Sequence, residues 1–427
     1  MAVLNYLSGN ALTSNMDFFY ELEACFKKPQ PYVELDGGRG FVINEPELVT
    51  HILVRNHKNY IKGPEFARVK MLTGMGLIVI DGESWRKHRQ LLRPVFSKDS
   101  FSFFDRVIRT ETERLFERWT SLANNGGTIE LSEDISRFAL DIIVKCIFSE
   151  GLDHIRDNAE HNPFDIFVEN RNRDVDLARS AWQLRKKIKS YIEHRRSCTE
   201  CGEGMLDVMM HSKLKDGSTF SDKELIDEVM TLIVAGHETS AITISWMWLL
   251  LSLNPQSELR LRSLYDASDK LNGGDGHDVG VEVGAELYLE QVMAEALRLY
   301  PPVWMFSRKS LDDDQWQDAH IPASTTVFLS PYYLQRSPLY WDSPEQFIPE
   351  RFDGKSIRDT RDGSYIPFSA GPRRCIGDQF SLLEAQILFA RIMPRLSLKA
   401  AEGYQIDLEP AVNLRSAEPI YMTVESI

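Results

Sequence analysis

The sequence predicts a mainly α-helical fold with minor β structure, organised around one long central helix. Three observations predict it. Residues 99–123, 132–149, 176–196, 221–253, 283–299 and 378–393 place apolar side chains at i, i+3, i+4 and i+7, the period of a helix with one buried face. Strand-like runs are short and confined to the N-terminal region, to about 303–330 and to about 396 onward. No 20–50-residue period repeats, and no Pro- or Ser-rich linker separates one part from another. Length alone would allow two or three domains, but strands dispersed in this way argue for one interlocked unit spanning 1–427.

Taken in chain order, Tyr32-Val33-Glu34-Leu35 and Phe41-Val42-Ile43 flank the Gly-rich Asp36–Gly40 and read as a hairpin. Residues 151–203 are charge-rich and weakly periodic, as expected of exposed helices joined by loops. Asn272–Asp278 reads as a surface loop. Thr231 to Leu253 is long and apolar enough to cross a bilayer, but Gly236-His237-Glu238-Thr239-Ser240 occupies its centre. A carboxylate at a bilayer midpoint costs roughly 2.5–3.5 kcal/mol on insertion scales, so this is a helix through a protein interior. From these residues alone the polar break has two readings: a kink with hydroxyls bonded to i−4 carbonyls, or a place where something binds.

Composition narrows the function classes. The chain is 43% hydrophobic and 26% charged, with 49 Lys+Arg against 63 Asp+Glu and a formal charge of −14. These are globular values, and the acidic balance argues against nucleic acid as a partner. Five scattered cysteines make no disulfide framework and point to a reducing compartment, here read as cytoplasmic. The N-terminus carries neither a signal-peptide pattern nor a membrane anchor.

The strongest signal is Phe368-Ser369-Ala370-Gly371-Pro372-Arg373-Arg374-Cys375-Ile376-Gly377, running directly into a helical pattern. A cysteine just before a helix N-terminus, flanked by two arginines, sits in a field expected to depress its thiol pKa and favour thiolate. Gly371 and Gly377 permit turns and close backbone approach to sulfur. The set suits a soft anionic ligand to a metal.

This F-x-x-G-x-R-x-C-x-G segment resembles the cysteine loop of the cytochrome P450 haem-thiolate monooxygenases. Four further motifs follow the same family in order. Glu295-Ala296-Leu297-Arg298 resembles its E-x-x-R, and Pro349-Glu350-Arg351-Phe352 its P-E-R-F. The resemblance makes Glu295, Arg298 and Arg351 a structural network behind the cofactor. Trp85 and Arg89 match W-x-x-x-R, two donors one helical turn apart, while Arg86 and Lys87 read as a solvated face. Ala235-Gly236-His237-Glu238-Thr239-Ser240 resembles the oxygen-binding signature, with His237 a packing residue off that face.

The resemblance implies the cytochrome P450 fold, a long central helix over haem b with small sheets at one side. Cys375 would be the axial iron ligand; Trp85, Arg89, Arg308, Phe368, Gly371, Arg373 and Gly377 would hold the cofactor. Gly236 would leave space for dioxygen, Thr239 would hydrogen-bond it, and Glu238 would relay protons. Val234, Ala235, Val303, Trp304, Met305 and Val412, with Met71–Ile78, the 151–203 lid and Asn413, would line a pocket for a small, apolar organic substrate. The implied activity is insertion of one oxygen atom from O2, as in natural-product tailoring by soluble bacterial members.

No P-loop, nucleophile elbow or dinucleotide fingerprint occurs, so the electrons are expected from elsewhere, and the resemblance implies an external ferredoxin with its reductase or a flavodoxin-type donor. Arg86, Lys87, Arg93, Arg373 and Arg374 would form its basic docking patch on a monomeric protein. Two rival classes are weighed: a donor-independent peroxygenase or isomerase, which typically loses the Glu238–Thr239 pair, and a haem-based sensor or binding protein, which needs no relay. Cys198-Thr199-Glu200-Cys201 lacks a second metal-binding pair, Cys146 reads as core, and Asp312-Asp313-Asp314 as a turn.

Overall fold

The computed structural model describes residues 15–149, 164, 174–198, 202–271, 283–359 and 362–427. Of the expected 151–203 lid, residues 151–163, 165–173 and 199–201 lie outside them, as do Thr199–Cys201 of the C-x-x-C and the Asn272–Asp278 loop. The helices are α1 (Asn15–Phe26), α2 (Pro46–Thr50), α3 (Phe66–Thr73), α4 (Gly82–Leu92), α5 (Lys98–Ala123) and α6 (Leu131–Phe148). They continue with α7 (Asp174–Ser197), α8 (Met205–His211), α9 (Asp222–Leu253), α10 (Pro255–Leu271), α11 (Val283–Leu299), α12 (Pro331–Leu334) and α13 (Asp378–Ile392). Each of the six helical periods read from sequence thus corresponds to a helix, with ends shifted by at most two residues.

The strands are β1 (Tyr32–Leu35), β2 (Gly40–Ile43), β3 (Tyr60–Lys62), β4 (Thr128–Glu130), β5 (Phe306–Ser310) and β6 (Asp314–Trp316). β7 (Ala319–Ile321), β8 (Thr326–Leu329), β9 (Leu396–Ala400), β10 (Leu408–Pro410), β11 (Leu414–Ser416) and β12 (Tyr421–Ser426) complete them. A five-stranded sheet has the order β1-β2-β8-β5-β3; β4-β12-β9 form a second sheet, and β6–β7 and β10–β11 are separate hairpins. The expected N-terminal hairpin is β1–β2, antiparallel with Tyr32 opposite Ile43.

α9 organises the molecule. Ser221 and Glu224 start it with a reciprocal capping box: the Ser221 hydroxyl accepts from Glu224 N–H, and the Glu224 carboxylate accepts from Ser221 N–H at 2.7 Å. Asn254-Pro255 ends it, Pro255 opening α10 where its missing N–H costs nothing. Its apolar residues are buried on nearly every side because α6 and the other core helices surround it. Gly236 makes the α6 contact possible: a Cβ there would stand 3.0 Å from the Ile143 side chain. The space this glycine preserves therefore lies toward α6.

The Glu295–Arg298–Arg351 network is built as a buried unit. Arg298 donates from Nε and Nη2 to the Glu295 carboxylate at 2.6 and 2.8 Å, and to the carbonyls of Gln335, Pro344 and Gln346 at 2.9, 2.7 and 3.0 Å. All five guanidinium N–H groups are satisfied. Glu295 also accepts the Ile348 N–H at 2.9 Å and Arg351 Nε at 3.2 Å. α11 is thereby tied to the segments that precede the cysteine loop.

Candidate active site

The cysteine loop is closed on itself by the Cys375 N–H donating to the Phe368 carbonyl at 3.0 Å. Gly371 has φ +68°, and a Cβ on it would fall 2.2 Å from the Leu53 carbonyl oxygen, so the loop packs against the His51–Arg55 turn only with glycine there. Arg374 lies over the Phe368 ring at 5.8 Å and donates to Asp378, at the first turn of α13, at 2.9 Å. The Cys375 side chain is exposed, yet protein crowds it enough that burial pushes its thiol pKa up. Its accessible surface therefore faces a recess. The Gly377 N–H, Arg89 and Arg374 pull in the other direction without prevailing. The expected depression of the free thiol is not observed; the electropositive field is present, but desolvation outweighs it.

α9 is solvent-accessible along one stripe. Val234, Ala235, Glu238, Thr239 and Ile242 are half-buried, while His237, Ser240 and Ala241 are buried. Spacing of three, four and seven places that stripe on a single face. The Thr239 hydroxyl donates to the Ala235 carbonyl at 2.7 Å, and the Glu238 carboxylate accepts from the Asn413 side-chain amide at 2.8 Å. Ser240 approaches Ser381 of α13 at 3.4 Å, which joins the helix carrying the stripe to the helix that leaves Cys375. His237 packs as expected: it is 2% exposed, bonds the Ser136 hydroxyl at 2.8 Å and has its pKa lowered to about 4 by burial.

Beside the recess, cations gather with too few partners. Lys62 on β3 stands directly opposite Arg308 on β5, a like-charge pairing that destabilises a sheet unless an anion intervenes. Burial lowers Arg308 to about 10 and Lys62 well below its usual value, and repulsion from Arg373 adds to both. Arg373 lies over the Trp85 ring at 4.8 Å and pairs with Asp81 at 2.5 Å. Asp81 also accepts the Lys62 backbone N–H, while Glu65 is taken by the Ser307 N–H at 2.7 Å. Arg89, with a pKa lowered by burial, senses the charge of Cys375 and makes no hydrogen bond among the described residues. An exposed thiol crowded by protein and near under-compensated cations fits a metal complex carrying anionic arms.

The sequence decides which one. A family model described as cytochrome P450 matches residues 3–423. The chain belongs to the cytochrome P450 family. Among its relatives, cyclooctatin synthase of Streptomyces melanosporofaciens is 29% identical, covering 89% of this chain and 85% of that protein. Cytochrome P450 4A12 of Rattus norvegicus is 30% identical, covering 83% and 75%. Protein LUTEIN DEFICIENT 5 of Arabidopsis thaliana is 28% identical, covering 90% and 69%. This P450 is accordingly a haem-thiolate oxidoreductase of the monooxygenase type, using O2 and electrons from redox partners.

The donors present would suit haem: Cys375 could supply the thiolate, and Trp85, Arg89, Arg308, Arg373 and Lys62 are the donors that could meet its anionic arms. Lys62 was not singled out from sequence, because one lysine ending a short strand carries no pattern; its placement opposite Arg308 reveals it. Asn413, on the hairpin tip 175 positions from Glu238, likewise carried no sign of its acid contact.

Among the expected pocket residues, Val303 is exposed and Val412 is 50% exposed, while Met305 is partly buried. Trp304 departs from expectation: it is 2% exposed, packs with Phe19 and donates its indole N–H to the Ala411 carbonyl at 3.0 Å. It supports the pocket wall from behind. The five-residue basic patch also changes. Arg373 points inward, Arg374 is held by Asp378, Lys87 by Glu224 at 2.7 Å and Arg86 by Glu83, leaving Arg93 exposed. In the Asp312–Asp314 run, Asp314 is buried and accepts from the Tyr60 hydroxyl at 2.6 Å, so it braces β6. Cys146 is core, and among the described residues no helix is long and apolar enough to cross a membrane.

Proposed function

We propose that this P450 acts as one catalytic domain over residues 1–427 and hydroxylates, or otherwise oxygenates, a small apolar organic molecule. The observation that carries the reading is the Glu238–Thr239 pair on the half-accessible face of α9, a helix that Ser240 joins to the α13 helix leaving Cys375. Haem, when bound by Cys375, supplies the reductive activation of dioxygen. The balance is RH + O2 + 2e⁻ + 2H⁺ → ROH + H2O, so two protons must reach the oxygen that leaves as water.

With its hydroxyl proton directed to the Ala235 carbonyl, Thr239 leaves its oxygen free to accept a proton, and rotating the hydroxyl off that carbonyl lets it pass its own proton on as the accepted one replaces it. Glu238 supplies the acid beside it. A peroxygenase, an isomerase or a sensor needs no such pair. Val234, Ala235, Val303 and Val412 keep apolar surface accessible, as a pocket for a hydrophobic substrate would need, with Glu238, Thr239 and Asn413 as its polar groups.

Cyclooctatin synthase and cyclooctat-9-en-7-ol 5-monooxygenase of Streptomyces melanosporofaciens, the second 28% identical, support a tailoring role in natural-product biosynthesis; the reading adds a soluble, cytoplasmic, monomeric enzyme of bacterial type. The electron donor in this reading is a ferredoxin with its reductase or a flavodoxin-type protein, attracted to Arg86 and Arg93 beside α4.

Compounds that shift the haem spin state identify candidate substrates. With any of them, Thr239→Ala should release most of the reducing equivalents as hydrogen peroxide, while spin-state affinity changes less than twofold. Product formed per electron at the wild-type ratio would contradict the relay.

A further inference from the structure

The Glu238 carboxyl is held from outside its own helix. One oxygen, Oε2, accepts from the Asn413 side-chain amide at 2.8 Å, and the other takes no hydrogen bond among the described residues. Asn413 is buried and sits at the tip of the β10–β11 hairpin, next to the half-exposed Val412. The tip does not need this contact to stay in place. The Leu414 N–H donates to the Pro302 carbonyl at 2.8 Å, Trp304 donates to Ala411, and the Ala411 N–H closes the turn on the Asn413 carbonyl at 3.1 Å. A charge from the same hairpin also reaches the acid: Arg415, paired with Glu409 at 2.7 Å, has its pKa raised against burial by Glu409 and further by Glu238.

We propose that Asn413 is a positioning residue for proton delivery: its amide fixes Glu238 Oε2, so the free oxygen carries the proton on the side of Thr239 and the recess. The proposal rests on the reading of Glu238 as the relay acid. An amide N–H donates and cannot accept a proton, so a carboxyl gripped through Oε2 exchanges its proton through Oε1 alone. The grip also restricts rotation of a flexible side chain whose outward rotamers would direct the proton away from Thr239. Because Val412 is the next residue, a substrate pressing on the hairpin tip moves the same amide, which links occupancy of the pocket wall to the orientation of the acid.

The test needs no identified substrate. Purified haem protein is reduced with dithionite and mixed with oxygenated buffer, and re-oxidation is followed at the Soret band in H2O and D2O. Four proteins are compared: wild type, Glu238→Gln, Asn413→Ala and the double variant. The proposal expects Asn413→Ala to slow the proton-dependent phase at least threefold and to raise its H2O/D2O ratio. It also expects Asn413→Gln, which keeps the amide, to recover part of the loss, and the double variant to be no slower than Glu238→Gln, since the two residues act through one carboxyl.

Haem content and the carbonyl spectrum report whether the hairpin and site are intact in each variant. If Asn413→Ala does not retain haem, Asn413→Gln alone decides, by showing an isotope ratio between those of wild type and Glu238→Gln or one equal to wild type. A Glu238→Gln effect with wild-type kinetics in Asn413→Ala overturns this proposal and leaves the relay standing. Wild-type kinetics in Glu238→Gln overturns the relay itself. Additive losses in the double variant show Asn413 acting elsewhere, and also overturn it.

Discussion

Glu295→Ala should be among the most damaging single substitutions outside the haem pocket. Glu295 and Arg298 are fully buried, and the carboxylate takes two of the five Arg298 N–H groups. Removing it leaves a guanidinium in the core with three carbonyl acceptors and no counter-charge. It also strands the Ile348 N–H and one donor of Arg351. Breaking a buried pair by deleting one partner costs about 3–5 kcal/mol, because the remaining ion keeps its desolvation penalty. Set against a total stability of about 5–15 kcal/mol, that is enough to lower expression and haem loading together.

Arg351→Ala removes a contact from a partly exposed group and should cost about 1–2 kcal/mol. Urea unfolding followed by tryptophan fluorescence, with haem content measured in parallel, gives both values. A loss below about 1 kcal/mol for Glu295→Ala, or a cost for Arg351→Ala that equals it, would refute the claim that the buried charge pair holds these segments.

Three further outcomes follow from the same structure. His237 has a folded-state pKa of about 4, below its ordinary value of 6.5. Between those values the unfolded chain binds the extra proton, so stability falls as pH drops through this window, by about 3 kcal/mol at the acid end. His237→Asn should flatten that part of the stability–pH curve relative to wild type in urea titrations from pH 4.5 to 7.5; an unchanged slope would show His237 already titrating normally. Gly371→Ala must adopt a positive φ and displace the Leu53 carbonyl, so it should lose about 1–3 kcal/mol and lower the haem-to-protein ratio, read by absorbance. Lys62→Met, which removes one of three mutually repelling cations, should stabilise the apoprotein in urea but speed haem transfer to apomyoglobin, whereas slower transfer would place Lys62 away from the cofactor.

Much of this was readable in the chain because the informative features are local. Helical periodicity located α5, α6, α7, α9, α11 and α13 to within a residue or two at each end, since burial of one face leaves its period in the sequence. The Cys375 loop, E-x-x-R and the α9 signature are each contained in a short run. What the sequence withheld depends on partners distant in the chain. Gly236 could be read as making space, but only packing shows that the space lies toward Ile143. Trp304 looked like a pocket aromatic until Ala411 and Phe19 appeared behind it. Lys62 ends a short strand and Asn413 sits in a tight turn, where one polar residue has no periodic signature to reveal its partner. The thiol pKa was misjudged because the arginines are visible in sequence and the crowding around Cys375 is not.

The central claim is that Cys375 ligates haem iron as a thiolate beneath the Glu238–Thr239 face of α9. The carbon monoxide difference spectrum of the dithionite-reduced protein tests it most directly. The account predicts a thiolate-type Soret band in the wild-type protein that is absent from Cys375→Ser. An imidazole-type band in the wild type, or a thiolate-type band that survives Cys375→Ser, would contradict it.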